Sequence, residues 1–422
     1  MQTTPKGLRL HIGLYGRRNV GKSSVLNALT RQRVAIVSEV AGTTTDPVEK
    51  PMELLPIGPV LFIDTAGVDD SGALGELRVQ KTREVFARTD VALLVTDPAG
   101  WGPFEESLLE AFAERKTPVI AVHNKHDLAA PTTEVQAALA ARGIPLVTTV
   151  ASAGEGVEAL RAALLQVVPE EFLNPVSVAG DLVPPGEFAV LVVPIDLEAP
   201  KGRLILPQVQ TIRDLLDHDA CCLVVKEREL RSALERLSVP PALVVTDSQA
   251  FLKVAADTPA GVPMTSFSIL FARLKGHLES FVEGARGIDR LRPGDRVLMA
   301  EACAHHPIGE DIGRVKIPRW LTQYVGGKLA FEHIQGLDFP ADLTPYKLVV
   351  HCGSCTFNRR NLMSRLLQCR AAGVPLTNYG VAIAHSLGVL DRALSPFPAA
   401  REVYRAQGAV PDSRSAAFPC DR

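Results

Sequence analysis

At 422 residues the chain exceeds what one ordinary hydrophobic core holds, so two or three domains are expected. The 45 Lys and Arg against 47 Asp and Glu give a formal charge of −2, which excludes a global field drawing the chain to nucleic acid or to an anionic membrane. No apolar run reaches the roughly 20 residues that span a bilayer, and the first residues lack the apolar core and cleavage site of a secretory signal. A cytoplasmic protein with no membrane and no nucleic-acid partner is expected.

The N-terminal block alternates strand-like runs at residues 8–14, 60–63, 91–95 and 119–122 with helical patterns, the mark of α/β organisation. Between the first run and a helical pattern at 24–29 lies Gly16-Arg17-Arg18-Asn19-Val20-Gly21-Lys22-Ser23, a P-loop in both sequence and context. Its glycines let backbone N–H groups wrap a phosphate, Lys22 neutralises the β/γ oxygens, and the Ser23 hydroxyl, followed by Ser24, faces Mg²⁺. Asp64-Thr65-Ala66-Gly67 ends an apolar run, where a carboxylate can hold the Mg²⁺ shell and the Gly67 amide can sense the γ-phosphate. Asn124-Lys125-His126-Asp127 ends another; the Asp127 carboxylate can accept both N1–H and the exocyclic amine of guanine, a donor pair that adenine lacks. Ser152-Ala153 follows the run 146–150, and is a weak signal by itself for a loop closing on the base.

These motifs resemble the translation-factor-like GTPases, in particular the branch whose first switch reads Gly-Thr-Thr-Arg-Asp, here Gly42-Thr43-Thr44-Thr45-Asp46. The resemblance implies that Thr44 touches Mg²⁺ and that Asn19 ligates an activating K⁺, where the plainer reading of Asn19 is a loop-stabilising amide. The candidate catalytic residues are therefore Lys22, Thr44, Asp64 and Gly67. Gly16, Asn19, Gly21, Lys22, Ser23, Ser24, Asn124, Lys125, Asp127, Ser152 and Ala153 are the candidates for binding GTP. Val68 stands where Ras-type enzymes position water with a glutamine, and an aliphatic side chain cannot do this, so slow intrinsic hydrolysis is expected.

Pro169, Asn174-Pro175 and Pro184-Pro185-Gly186 form the clearest cluster of breakers and place a boundary near residue 174. A second alternation follows, with strands at 188–194, 221–225 and 243–246 and helices at 208–217 and 227–237, which reads as a small βαβ domain. A helical stretch at 268–291 leads to strands at 295–300 and 346–350, both running into cysteines. The expected domains are 1–173, 174–266 and 267–422, with a loose tail from about residue 406.

The second chemical constellation is Cys303-Ala304-His305 answered by His351-Cys352-Gly353-Ser354-Cys355. Loops at the carboxyl ends of strands converge, so three thiolates could face one point. Spacing leaves open an iron–sulfur cluster, a zinc site completed by His305 or His351, or a redox dithiol. His306, His333 and His385 read as packed or solvated, and Cys369 as a small core residue. Cys221, Cys222 and Cys420 have no evident partner.

Switch and cysteines together resemble the HydF family of [FeFe]-hydrogenase maturation GTPases, whose motif is Cys-x-His, a long gap and His-Cys-x-x-Cys. The resemblance covers nearly the whole chain and implies a GTPase domain, a dimerisation domain and a cluster domain. It implies that Cys303, Cys352 and Cys355 bind a [4Fe–4S] cluster with an exchangeable fourth position near His305 and His351. It further implies a homodimeric scaffold or carrier. Such a carrier receives a transient diiron precursor, made with two radical-SAM maturases, and delivers it to apo-[FeFe]-hydrogenase. The rival reading is a GTPase with a structural zinc site acting in ribosome or tRNA metabolism.

Overall fold

Continuous runs of Val, Leu and Ile cannot alternate a dry and a wet face, so strands built from them must be covered on both sides. The computed structural model describes residues 4–30, 48–55, 57–65, 84–173, 176–194, 204–302 and 311–406. Its first sheet holds β1 (Leu10–Tyr15), β2 (Val48–Leu54), β3 (Gly58–Asp64), β4 (Val91–Thr96), β5 (Val119–Asn124) and β6 (Leu146–Thr149), in the order β2-β3-β1-β4-β5-β6. β1, β4 and β5 are buried along their whole length. Alternate β4 residues face opposite cores. Val91, Leu93 and Val95 join Val25 and Leu26 of helix α1 (Lys22–Thr30), whereas Ala92 and Leu94 join Leu108 and Phe112 of α2 (Pro103–Glu114). α3 (Thr133–Ala141) adds Leu139 to the second core, and α4 (Val157–Val167) adds Leu160 and Leu164 to the first.

Every pairing in this sheet is parallel except β2 with β3. The sequence pattern does not announce β2: it is largely exposed or half-buried and carries Pro51, which a strand tolerates at a sheet edge.

The chain divides into two compact units, Met1–Val176 with Thr356–Ser364, and Ser177–Cys355 with Arg365–Arg422. The second unit contains two parallel four-stranded sheets. One has β7 (Phe188–Val192), β8 (Cys221–Val225), β9 (Leu243–Thr246) and β10 (Met264–Ser266) in the order β10-β9-β7-β8, with α5 (Leu206–Asp217) and α6 (Leu230–Arg236) in its crossovers. The expected βαβ element is thus part of a larger sheet, completed by a three-residue strand too short to stand out in the sequence. The other sheet has β11 (Arg296–Glu301), β12 (Ala330–Gln335), β13 (Leu348–His351) and β14 (Leu376–Asn378) in the order β12-β11-β13-β14.

The stretch expected to be helical over 268–291 is broken into α7 (Phe267–Lys275) and α8 (Leu278–Ala285), followed by a short 3₁₀ turn. Ser266 caps α7 by accepting the Ile269 N–H. At the break, a Cβ on Gly276 would stand 2.3 Å from Phe281 Cε2, so only glycine admits the phenyl ring there. No helix among the described residues is long and apolar enough to cross a membrane.

Candidate functional site

β1 ends at Tyr15 and α1 begins at Lys22, so six residues must reverse the chain and leave its N–H groups facing outward. Gly16 has φ +141° and its Cβ would lie 2.1 Å from Val95 O; Gly21 has φ +97° and its Cβ would lie 2.2 Å from Asn124 Nδ2. Neither position admits a side chain. Asn19 sits at φ +61°, a conformation that asparagine tolerates better than most residues. The buried Lys22 arches back over the loop, its Nζ donating to Gly16 O at 2.9 Å and Arg17 O at 2.8 Å. A lysine in this place meets the phosphates of a nucleotide lying on the loop at the α1 N-terminus.

Ser23 Oγ donates to Asp64 Oδ2 at 2.6 Å, joining the start of α1 to the end of β3. Burial pushes the Asp64 carboxyl up, with the Ser23 hydrogen bond and the Lys22 charge opposing. Asp64 Oδ1 is buried with no hydrogen-bond partner among the described residues. A hydroxyl beside a desolvated carboxylate is a donor set that suits Mg²⁺, a hard cation that keeps several of its waters.

On the base side, Asn124 is a tie rather than a reader. Its Nδ2 donates to Val20 O at 3.0 Å, and its Oδ1 accepts from Thr149 Oγ1 and Ala151 N, both at 3.1 Å. Lys125, at φ +57°, donates to Asn19 O at 2.8 Å and to Asp97 Oδ2 at 2.7 Å. Asp127 is exposed, and so are Ser152 and Ala153 in a turn closed by the Val150–Glu155 bridge. The P-loop, the end of β3 and the loops after β5 and β6 therefore gather at the carboxyl edge of one sheet, where open α/β sheets bind ligands. Asp97 was not singled out from the sequence. Its signal was available, since it directly follows β4 as Lys125 directly follows β5. Thr44, Gly67 and Val68 lie outside the described residues.

The cysteine loop begins where β13 ends. β13 runs parallel to β11 with His351 opposite Ala300. Cys352 N–H donates to Ala300 O at 2.9 Å, and Ala302 N–H points at Cys352 Sγ at 3.1 Å. Cys303 is one peptide bond beyond Ala302 in the chain; it, His305 and His306 lie outside the described residues. Among the described residues no three His, Cys, Asp or Glu side chains group to hold a metal. Cys352 and Cys355 are half-buried and take part in no disulfide among the described residues. Iron and zinc both bind cysteine as the thiolate, and the Ala302 N–H already points at one of these sulfurs. The residues present thus fit a thiolate-bound metal or cluster.

His351 is completely buried. Its Nδ1 lies 3.0 Å from Cys352 O and 3.1 Å from Ser354 Oγ, and its Nε2 lies 2.9 Å from Arg365 Nη1. Because a guanidinium only donates, Nε2 must be the bare nitrogen and Nδ1–H the donor to Cys352 O. Burial and the Arg365 charge push His351 down to about 3, so the ring is neutral. The expectation that His351 supplies a fourth ligand finds no open nitrogen in this arrangement: the ring is a buried prop beneath the cysteine loop. Cys369 is buried in α9 (Arg359–Ala371), where burial pushes its thiol up to about 12. His333 bonds Gly313 O, and the buried His385 pairs with Asp289, so both are packed residues.

Comparison with known proteins matches three successive stretches of the chain. Residues 11–125 match the 50S ribosome-binding GTPase family, residues 178–276 the hydrogen maturase F dimerization domain, and residues 279–396 the hydrogen maturase F tetramerization domain. The tRNA modification GTPase MnmE of Desulfotalea psychrophila is 37% identical over 158 residues, 36% of this chain and 33% of that protein. MnmE of Koribacter versatilis is 39% identical over 165 residues, 38% of this chain and 35% of that protein. The chain thus spans about a third of the length of the curated relatives it matches. Among solved structures, the G domain of the T. maritima FeoB iron transporter is 26% identical, covering 38% of this chain and 99% of that one at a TM-score of 0.30. Era in complex with MgGDPNP and 16S ribosomal RNA nucleotides is 24% identical, covering 55% and 68% at a TM-score of 0.33.

Proposed function

The chain belongs to the hydrogen maturase F family of GTPases, and from that premise we propose that it is a GTP-switched carrier that holds a diiron precursor and delivers it to apo-[FeFe]-hydrogenase. The observation that carries this reading is the loop after β13. Two cysteines outside any disulfide, Cys352 and Cys355, stand where the Ala302 N–H reaches the Cys352 sulfur and the next residue in the chain is Cys303. Cys303, Cys352 and Cys355 are the proposed protein ligands of a [4Fe–4S] cluster, with His305 the remaining candidate near the fourth position. A cluster held by three cysteines keeps one iron open to an external bridging ligand, which four cysteines would close. The diiron unit is cargo, supplied by the two radical-SAM maturases.

At the other site, Lys22 and the P-loop amides hold the phosphates, Ser23 with Thr44 and Asp64 hold Mg²⁺, and Asp127 reads guanine. Asn19 is the proposed K⁺ ligand. Its αL backbone, pinned by Lys125 at its carbonyl, supports a fixed position for the amide. Replacing K⁺ by Na⁺ in a phosphate-release assay is expected to slow hydrolysis about tenfold, ~1.4 kcal/mol of barrier; equal rates would remove that role. Self-association of the middle domain is supported by its edge strand β8, where Val224 is 42% exposed and Cys221 is open to solvent.

The MnmE likeness favours, for the GTPase part alone, a second reading as a tRNA-directed GTPase, in which the cysteines would hold a structural zinc. One experiment separates the two. Protein purified without oxygen and reconstituted with iron and sulfide is expected to give a [4Fe–4S]⁺ EPR signal that changes on adding imidazole. Colourless protein with stoichiometric zinc would replace the carrier by the structural-zinc reading.

A further inference from the structure

Lys275 is the last residue of α7 and only 2% exposed. An ammonium so far from water is costly unless its three donors are used. Two of them converge on the cysteine loop: Nζ donates to Ser354 O at 2.8 Å and to Cys355 O at 3.0 Å. Ser354 holds φ +55°, a left-handed conformation that a non-glycine residue keeps only when its surroundings enforce it. Gly276 ends α7 one residue later, its backbone leaving helical angles at φ −129° and ψ −146°. The lysine therefore sits at the C-terminal, electronegative end of a helix, which favours a cation. A second buried cation, Arg365, donates to His351 beneath the same loop.

A structural peg would not need to set a charged group on the carbonyls of the cysteine loop itself. A positive charge against a cluster-holding loop opposes the negative charge that a cluster gains on reduction, and so stabilises the reduced form. We propose that Lys275 is a positioning residue of the cysteine site: it locks the loop carbonyls inward and sets a positive charge against the loop that carries Cys352 and Cys355, raising the reduction potential of a cluster bound there. This rests on the cluster reading given above.

The test compares full-length wild type, Lys275→Gln, which keeps N–H donors without the charge, and Lys275→Arg, which keeps both. Each is reconstituted anaerobically with iron and sulfide, assayed for iron content and thermal melting, and titrated potentiometrically by EPR. The expected result is a cluster of clearly more negative midpoint potential in Lys275→Gln, returned towards wild type in Lys275→Arg. A Gln variant that folds but loads no cluster, with loading restored by Arg, supports the same role. An unchanged potential in Lys275→Gln, or equal loss of melting temperature and loading in both variants, would overturn the proposal and leave a packing role. A wild-type protein that takes up no cluster would sink the cluster reading itself, and this proposal with it.

Discussion

Asp127→Asn is expected to weaken GTP binding by roughly 10²–10⁴-fold and to shift preference towards xanthine nucleotides. In its proposed role the carboxylate accepts from N1–H and the exocyclic amine of guanine, and each hydrogen bond to a charged group is worth about 1.5–3 kcal/mol. Xanthine carries a carbonyl in place of that amine, which an asparagine amide can meet as a donor. The fold should not suffer, because Asp127 is exposed while the structural ties of this corner run through Asn124 and Lys125. Calorimetric titration with GDP and XDP, beside a melting curve, checks both halves. Unchanged guanine affinity would contradict the assignment.

Cys352→Ser is expected to abolish or cripple cluster loading, with Cys303→Ser and Cys355→Ser behaving alike, whereas Cys369→Ala leaves loading intact. Serine is a harder and far less acidic donor than a thiolate and does not replace it on iron. Cys352 also accepts the Ala302 N–H and bonds through its own N–H to Ala300, so its sulfur is already aimed. Cys369 is different in kind. Burial holds it as a neutral thiol, so its loss costs about 1 kcal/mol of packing and no ligand. Iron and sulfide content per protomer, read against thermal melting, separates the two classes. Full loading in Cys352→Ser would remove that residue from the site, and lost loading in Cys369→Ala would mean that the fourth ligand had been misread.

The central strands were legible because parallel strands covered on both faces must be apolar throughout, as in β1, β4 and β5. The edges were not. β2 carries Pro51 and alternates exposed with half-buried residues, and β12 places Glu332 and His333 in a half-exposed strand. Each reads locally as loop, and each becomes a strand only because a buried neighbour offers it hydrogen bonds. The helical run 268–291 failed for the converse reason. Its periodicity is continuous, but the backbone leaves helical angles at Gly276, where the Phe281 ring fills the space of a side chain.

The nucleotide chemistry was written in the chain itself, because a P-loop, a strand-ending Asp64 and the Asn124-to-Asp127 run act through residue types a few positions apart. The cysteines were equally visible. Their surroundings were not, since spacing says nothing of which way a side chain turns or what lies against it. His351 looked like a ligand beside Cys352, yet burial against Arg365 turned it into a neutral prop. Lys275 drew no notice in a helical pattern, yet packing brought its ammonium to carbonyls 79 and 80 residues away. Local order follows from short-range sterics and hydrogen bonds, whereas the charge and orientation of a buried site follow from long-range packing that excludes water and leaves each polar atom one partner to find.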